Sequence, residues 1–142
     1  MEKPYAESCE QNRDPILSVI EPLLKNQRTV LEIGSGTGQH AVYFSKKMPH
    51  LLWQPSDQAQ YLAGIQMWRN EANLVNMAEP FELNVTQAIW PDKKYDAIFT
   101  ANTLHIMHWN DVLAFFKGVV DSLNKNGLLM IYGPFNYNFQ YT

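Results

Sequence analysis

Three alternating glycines follow a short β-branched run in Val30-Leu31-Glu32-Ile33-Gly34-Ser35-Gly36-Thr37-Gly38. Glycine lets the backbone turn sharply and lets a ligand reach main-chain atoms with no Cβ in the way. The residues before the turn predict a strand and those after it a helix, the context in which such a turn cradles a nucleotide. Three chemistries compete for it. A phosphate-binding P-loop needs Gly-Lys-Ser/Thr five residues after its first glycine, and Gln39-His40 stands there instead. A dinucleotide fingerprint G-x-G-x-x-G counted from Gly34 needs glycine at position 39 and meets Gln39. The third pattern, E-x-G-x-G-x-G with Glu32 at the end of the strand, is matched in full. An acid there repels a pyrophosphate and suits a ligand that bears an ammonium and a sulfonium. S-adenosylmethionine (SAM) is such a ligand. The plainer reading, a turn that only packs, is disfavoured because three glycines cost backbone entropy and offer no side chain to pack.

Other residues extend this site. Asp57 lies nineteen positions after Gly38, just past the second predicted strand. An acid there accepts hydrogen bonds from ribose hydroxyls in doubly wound folds, and it can also cap the helix that follows. Asn84 ends the third strand, where an amide can both donate to and accept from an adenine edge. The expected cofactor set is therefore Glu32, Gly34, Ser35, Gly36, Gly38, Asp57, Asn84 and Asn102. The fourth strand delivers Asn102, Thr103, His105, His108 and Trp109 to the same end of the sheet. The fifth delivers Tyr132, Gly133, Pro134 and Phe135. His105 is the candidate catalytic group, positioning a substrate or taking its proton, with a helix-start histidine as the plain alternative. His105 and His108 have i, i+3 spacing, but no third ligand accompanies them, so no metal is expected. Tyr5, Arg13, Trp109, Tyr132 and Phe135 are candidates for the substrate face. Cys9 has no nearby base and is given no catalytic role.

The elements that must hold these residues follow from periodicity. Strands are predicted at 29–33, 51–54, 81–84, 96–100 and 128–132. Helices are predicted from Ala41 to a stop at Pro49, over Gln58–Ala72, and from a cap at Asn110 or Asp111 to a stop at Asn126-Gly127. Val112, Leu113, Phe116, Val119 and Val120 are expected on the inward face of the last. A further helix is expected over Pro15–Leu24, with Asp14 as N-cap and Ile16, Leu17, Ile20, Leu23 and Leu24 buried. Strands alternating with helices imply a mainly parallel sheet covered on both faces.

Five segments together carry a family resemblance: Tyr5-Ala6-Glu7-Ser8-Cys9-Glu10-Gln11-Asn12-Arg13-Asp14-Pro15-Ile16, Leu31 to Ala41, Trp53-Gln54-Pro55-Ser56-Asp57, Ala101-Asn102-Thr103-Leu104-His105-Ile106 and Ile131-Tyr132-Gly133-Pro134-Phe135. The chain resembles class I SAM-dependent methyltransferases, and more narrowly the methyltransferase-like 26 family, small proteins without a settled substrate. The resemblance implies an α/β, Rossmann-like, doubly wound and mainly parallel sheet. Members of the class usually have seven strands, and this chain stops about ten residues after its fifth. The expectation is one SAM-binding domain over 1–142 with an N-terminal helical segment over about 1–27. The last two strands of the class would be lacking, and the apolar strand 128–132 would be left as an exposed edge.

Composition bounds the reading. The chain has 142 residues, is 46% hydrophobic and 18% charged, and carries a formal charge of −3. That is an ordinary globular mixture. No Lys/Arg cluster exceeds the pairs Lys46-Lys47 and Lys93-Lys94, and Asn102-Thr103-Leu104-His105 is not the Asn-Pro-Pro-Tyr loop of exocyclic-amine methyltransferases, so DNA is not expected as a partner. One cysteine fits a reducing compartment, and neither a signal peptide nor a membrane span is evident, so the cytoplasm is expected. The expected activity is methyl transfer from SAM to a small molecule or protein, leaving S-adenosylhomocysteine (SAH). A SAM-fold binding or scaffold module without turnover is the alternative, and an NAD-dependent oxidoreductase a distant third. Self-association through the 128–132 edge is expected.

Overall fold

The computed structural model describes residues 2–87, 90–101 and 108–133, and the backbone at 136–137 and 140–141. Helix α1 (Glu7–Leu23) precedes β1 (Thr29–Ile33), α2 (Gln39–Lys47), β2 (Leu52–Asp57), a single 3-10 turn at Ala59–Tyr61 and α3 (Leu62–Ala72). Then come β3 (Phe81–Glu82), β4 (Tyr95–Ala101), α4 (Trp109–Ser122) and β5 (Leu123–Tyr132). Two short strands, β6 (Asn136–Tyr137) and β7 (Gln140–Tyr141), pair antiparallel with each other. Strands β1 to β5 form one parallel sheet in the order β3-β2-β1-β4-β5. The chain winds outward from β1 to β3, then crosses back to β4 on the other side of β1. The crevice beyond β1 and β4 is thus the topological switch point, where open α/β sheets bind ligands.

The two faces are covered by different helices. Ile16 and Ile20 from α1 with Leu24 just past it, Phe44 from α2 with Met48 just past it, and Ile65 from α3 pack with Val30, Trp53 and Phe99 on one face. Phe115 and Val119 from α4 pack with Leu31, Ile33 and Ile98 on the other. Alternate residues of β1 supply alternate faces, as strand geometry requires. Leu31 and Ile33 go to the α4 side, so Glu32 shares the side of Trp53.

Several expectations about elements are corrected. Helix α1 begins at Glu7, not Pro15, and its N-cap is Ala6. Pro15 and Pro22 therefore lie inside it, although an interior proline costs a hydrogen bond. Asp14 does not cap: its carboxylate accepts the Tyr43 hydroxyl of α2, and tertiary contacts along residues 6–14 carry the helix past Pro15. Helix α4 starts at Trp109 with His108 as N-cap, and its buried residues are Phe115, Gly118, Val119 and Ser122. Leu113, Phe116 and Val120 are exposed instead of buried. The helix is rotated because Trp90 lies on Gly118, where a Cβ would stand 2.0 Å from the indole. Asn126-Gly127 does not stop α4, which runs straight into β5 at Leu123. Asn126 adopts φ +66 within the strand. Finally, β5 is not covered on both faces: of its residues only Met130 is buried.

Candidate functional site

The glycine turn leaves β1 through three residues in the left-handed region: Gly34 at φ +73, Gly36 at +60 and Gly38 at +96. Their surroundings differ. A Cβ on Gly36 would meet nothing within 4 Å. A Cβ on Gly38 would lie 3.1 Å from the Ile65 Cα and 3.3 Å from the Trp68 Cβ. Gly36 therefore opens onto space, whereas Gly38 lets α2 and α3 approach each other. The expectation that the glycines pack nothing fails for Gly38.

Glu32 stands behind the turn and is 2% exposed. Its Oε1 accepts the Ser35 hydroxyl at 2.7 Å and the Trp53 indole N–H at 3.2 Å. Burial pushes its carboxyl up to about 7, against the pull of those two donors. Ser35 also accepts the Ser56 N–H at 3.0 Å through its hydroxyl, and its own N–H donates to the Ser56 carbonyl at 2.9 Å. The Ser56 hydroxyl in turn donates to the Glu32 carbonyl at 2.6 Å. The acid of the motif thus anchors the turn from inside.

Asp57, the last residue of β2, faces the open glycine. Its Oδ2 accepts the Gly36 N–H at 2.8 Å and its Oδ1 accepts the Gln58 N–H at 2.7 Å. Burial raises its pKa while these two N–H groups lower it. A carboxylate has about four acceptor sites, so two remain for hydroxyls of a ligand. The residues present fit the adenosyl ligand expected from the sequence: an open glycine cradle and a half-used carboxylate lie one hydrogen bond apart.

Asn84 has a local task. Its Oδ1 accepts both the N–H of Thr86 at 3.0 Å and the Thr86 hydroxyl at 2.7 Å. What it offers a ligand is its amide N–H rather than its oxygen. Tyr5 is exposed and its hydroxyl donates to Glu7 at 2.7 Å. Arg13 stacks on Tyr43 at 4.3 Å and pairs with Glu10 at 3.3 Å, which commits it to the α1–α2 contact. Trp109 opens α4 and Tyr132 closes β5, both exposed. Asn102, His105 and Phe135 lie outside the described residues. Among the described residues, no three His, Cys, Asp or Glu side chains gather where they could hold a metal ion. No described helix is long and apolar enough to cross a membrane.

Two residues next to the motif escape sequence reasoning. Gln39 reads there only as the residue that breaks a dinucleotide pattern, yet it is 3% exposed and its side chain bonds to Ala6, Glu10 and Thr37. His40 bonds through Nε2 to the Asn12 side chain at 2.7 Å and stacks on Phe44. Burial lowers its pKa, which favours the neutral ring. A polar pair at the start of a helix whose other face is apolar was the available signal.

The family described as "Protein of unknown function (DUF938)" matches residues 3–142. Among curated proteins, (S)-tetrahydroprotoberberine N-methyltransferase of Eschscholzia californica is 26% identical over 129 residues, which span 82% of this chain and 34% of that protein. Among solved structures, the S-adenosylmethionine-dependent methyltransferase SibL in its apo form superposes with a TM-score of 0.82 at 18% identity, covering 92% of this chain and 37% of that one. Coclaurine N-methyltransferase bound to N-methylheliamine and SAH gives 0.70 at 20% identity, covering 84% and 35%. At such identities the superpositions establish the fold, the Rossmann-like sheet of class I methyltransferases.

Proposed function

The chain belongs to the DUF938 family, and we propose that it is a SAM-dependent methyltransferase of the class I type. The observation that carries this reading is the hydrogen bond between the Asp57 carboxylate and the N–H of Gly36. It sets an acid suited to ribose hydroxyls beside a glycine of the turn that faces open space. The likeness to named methyltransferases supports the same reading.

In this assignment Gly34, Ser35, Gly36 and Gly38 shape the cradle, and Glu32 and Ser35 hold it rigid from behind. Asp57 accepts from the ribose, the Asn84 amide donates to the adenine, and Asn102 completes the set at the end of the fourth strand. When bound, SAM supplies a methyl on a sulfonium, whose transfer leaves the neutral thioether SAH. A neutral leaving group needs no protein acid, so orientation of the acceptor is the main task, and effective molarities of ~10⁵ M or more set its possible scale. Tyr5, Trp109, Tyr132 and Phe135 form the acceptor wall, while Arg13 supports the N-terminal helix behind it. His105 orients the acceptor or takes its proton, which matters only for acceptors protonated near neutral pH. The acceptor is a small molecule or a protein, and the chain acts in the cytoplasm. Copies self-associate through the edge of β5 that no other described strand of the sheet occupies.

Calorimetric titration with SAM, SAH and NAD tests the assignment. Binding of SAM and SAH without NAD is expected. Tight binding of NAD with no uptake of SAM overturns it.

A further inference from the structure

Gln39 makes four hydrogen bonds from one buried amide. Its Oε1 accepts the Ala6 N–H at 2.7 Å and its Nε2 donates to the Ala6 carbonyl at 3.2 Å. One side chain thus pairs with both polar groups of a single residue, as a neighbouring strand would. Oε1 also accepts the Thr37 hydroxyl at 2.9 Å, and Nε2 donates to Glu10 at 3.1 Å. Thr37 lies between Gly36 and Gly38, so the amide joins the middle of the glycine turn to the N-terminal segment.

That segment has a second anchor, on α3. The Trp68 indole N–H donates to the Pro4 carbonyl at 2.6 Å. The Pro4 ring lies on Gly64, where a Cβ would come within 2.6 Å of it. Residues 4–10 therefore form a strap from α3 to the start of α2, passing beside the turn. Docking of α1 does not need the Gln39 clamp, because Ile16 and Ile20 already sit in the core. An apolar side chain at position 39 could fill the same space. What only an amide achieves is a fixed register between strap and turn.

We propose that Gln39 is a positioning residue that holds the N-terminal strap against the glycine turn, so that the strap retains a ligand seated at Gly36. The inference rests on the cofactor reading above and adds to it how the ligand is kept. If the ligand orders the turn, Gln39 passes that order to the strap, and by linkage a seated strap tightens the ligand's binding, a gain expected mainly as slower release.

The test uses the whole chain and SAH. Dissociation of SAH is timed for the wild type, for Gln39→Ala and for Trp68→Phe, and amide exchange over residues 3–14 is followed with and without SAH. In the wild type, SAH should slow exchange across the strap. Gln39→Ala should release SAH about tenfold faster, roughly a 1.4 kcal/mol loss, and its strap exchange should no longer respond to SAH. A residue that merely supports the fold would shift the melting temperature without removing that response. Trp68→Phe keeps an aromatic ring but loses the Pro4 bond, and should speed release in the same direction. It carries the test if Gln39→Ala fails to fold. SAH release at the wild-type rate from the folded variants overturns this inference alone. A wild-type chain that takes up no SAH overturns the cofactor reading and this inference with it.

Discussion

Glu32 makes the fold sensitive to pH over a window that no exposed carboxylate would produce. Its carboxyl titrates near 7 in the folded chain against an ordinary 4.5, because burial penalises the charged form. Between those values the folded state binds the extra proton, so Glu32's contribution is fully present below about pH 4.5 and lost as pH rises through 7. The shift corresponds to a loss of about 3 kcal/mol. Asp57, also raised by burial, acts in the same direction. Asp96 and His40 act oppositely: bonds to the Arg28 and Thr29 N–H groups and to Asn124 hold the Asp96 pKa low, and burial lowers that of His40, so both contributions are lost on acidification, that of His40 below about pH 6.5 and as a smaller effect than the Glu32 shift. The unliganded chain should therefore melt lower at pH 7.5 than at pH 5.5, and Glu32→Gln, which keeps an acceptor for Ser35 and Trp53, should remove most of that slope. Calorimetric melts at the two pH values check it, and an unchanged slope in the variant would place the cause elsewhere. Asp57 gives a second prediction. Charge-assisted bonds contribute roughly 1.5–3 kcal/mol, so Asp57→Ala should weaken SAM about ten- to a hundredfold, and Asp57→Asn, which retains one oxygen, should weaken it less. Titration of both variants decides; equal affinity for the wild type and the alanine variant would put the ribose partner at another residue. Glycines, the acid before them and the acid at the end of the next strand are legible in sequence because their types are unusual at those spacings. The wiring of Gln39 and His40 is not, because it depends on where α1 docks.

At the level of elements, the turn between β1 and α2 divides its tasks between two glycines, and substitutions can separate them. Gly36 has φ +60 and open space before it. Asparagine tolerates that conformation, whereas valine is strained there whatever the space. Gly36→Asn should keep the melting temperature within a few degrees and abolish SAH binding, since its side chain would occupy the cradle. Gly38→Ala should do the reverse in its main effect. It sets a Cβ against the backbone of Ile65 at a positive φ, so the α2–α3 contact must open and the melt should fall. Thermal melts beside SAH titrations for both variants check the division, and a binding loss without a melting change in Gly38→Ala would refute it. Strand and helix order was readable from alternating apolar runs, and the parallel sheet followed from it. The rotation of α4 was not. Its apolar residues fall on more than one face, and the choice between them rests on the Trp90 ring filling the Gly118 gap, a contact 28 residues apart in the chain. The start of α1 was hidden for a related reason: Pro15 marks a beginning locally, and only contacts with α2 override it.

At the scale of the whole fold, the described residues cover the sheet well on the side of α1, α2 and α3 and sparsely at β5. That strand pairs with β4 and, among the described residues, with no other strand of the sheet. Beside it, α4 shows Trp109, Leu113, Phe116 and Val120 to the outside, spaced i, i+4, i+7 and i+11, with Trp109 72% and Val120 71% exposed. Such spacing lines one side of a helix, and an apolar stripe, like a strand edge that no other described strand covers, is a template for association. Two copies related by a two-fold axis at β5 would pair their edges antiparallel and continue the sheet, with the two α4 helices on one face of it. A two-fold contact of this kind is self-complementary, since each copy offers the same edge and the same stripe. The chain should therefore sediment as a concentration-dependent mixture of monomer and dimer from low to high micromolar concentration. Leu113→Lys with Val120→Lys should shift that equilibrium toward monomer by about tenfold or more, with little change in melting temperature, because both positions are exposed and take no part in the α4 core contact. Sedimentation velocity on the wild type and the double variant checks it. A wild-type chain that stays monomeric at the highest concentration would show that the edge and the stripe do not pair with copies of themselves.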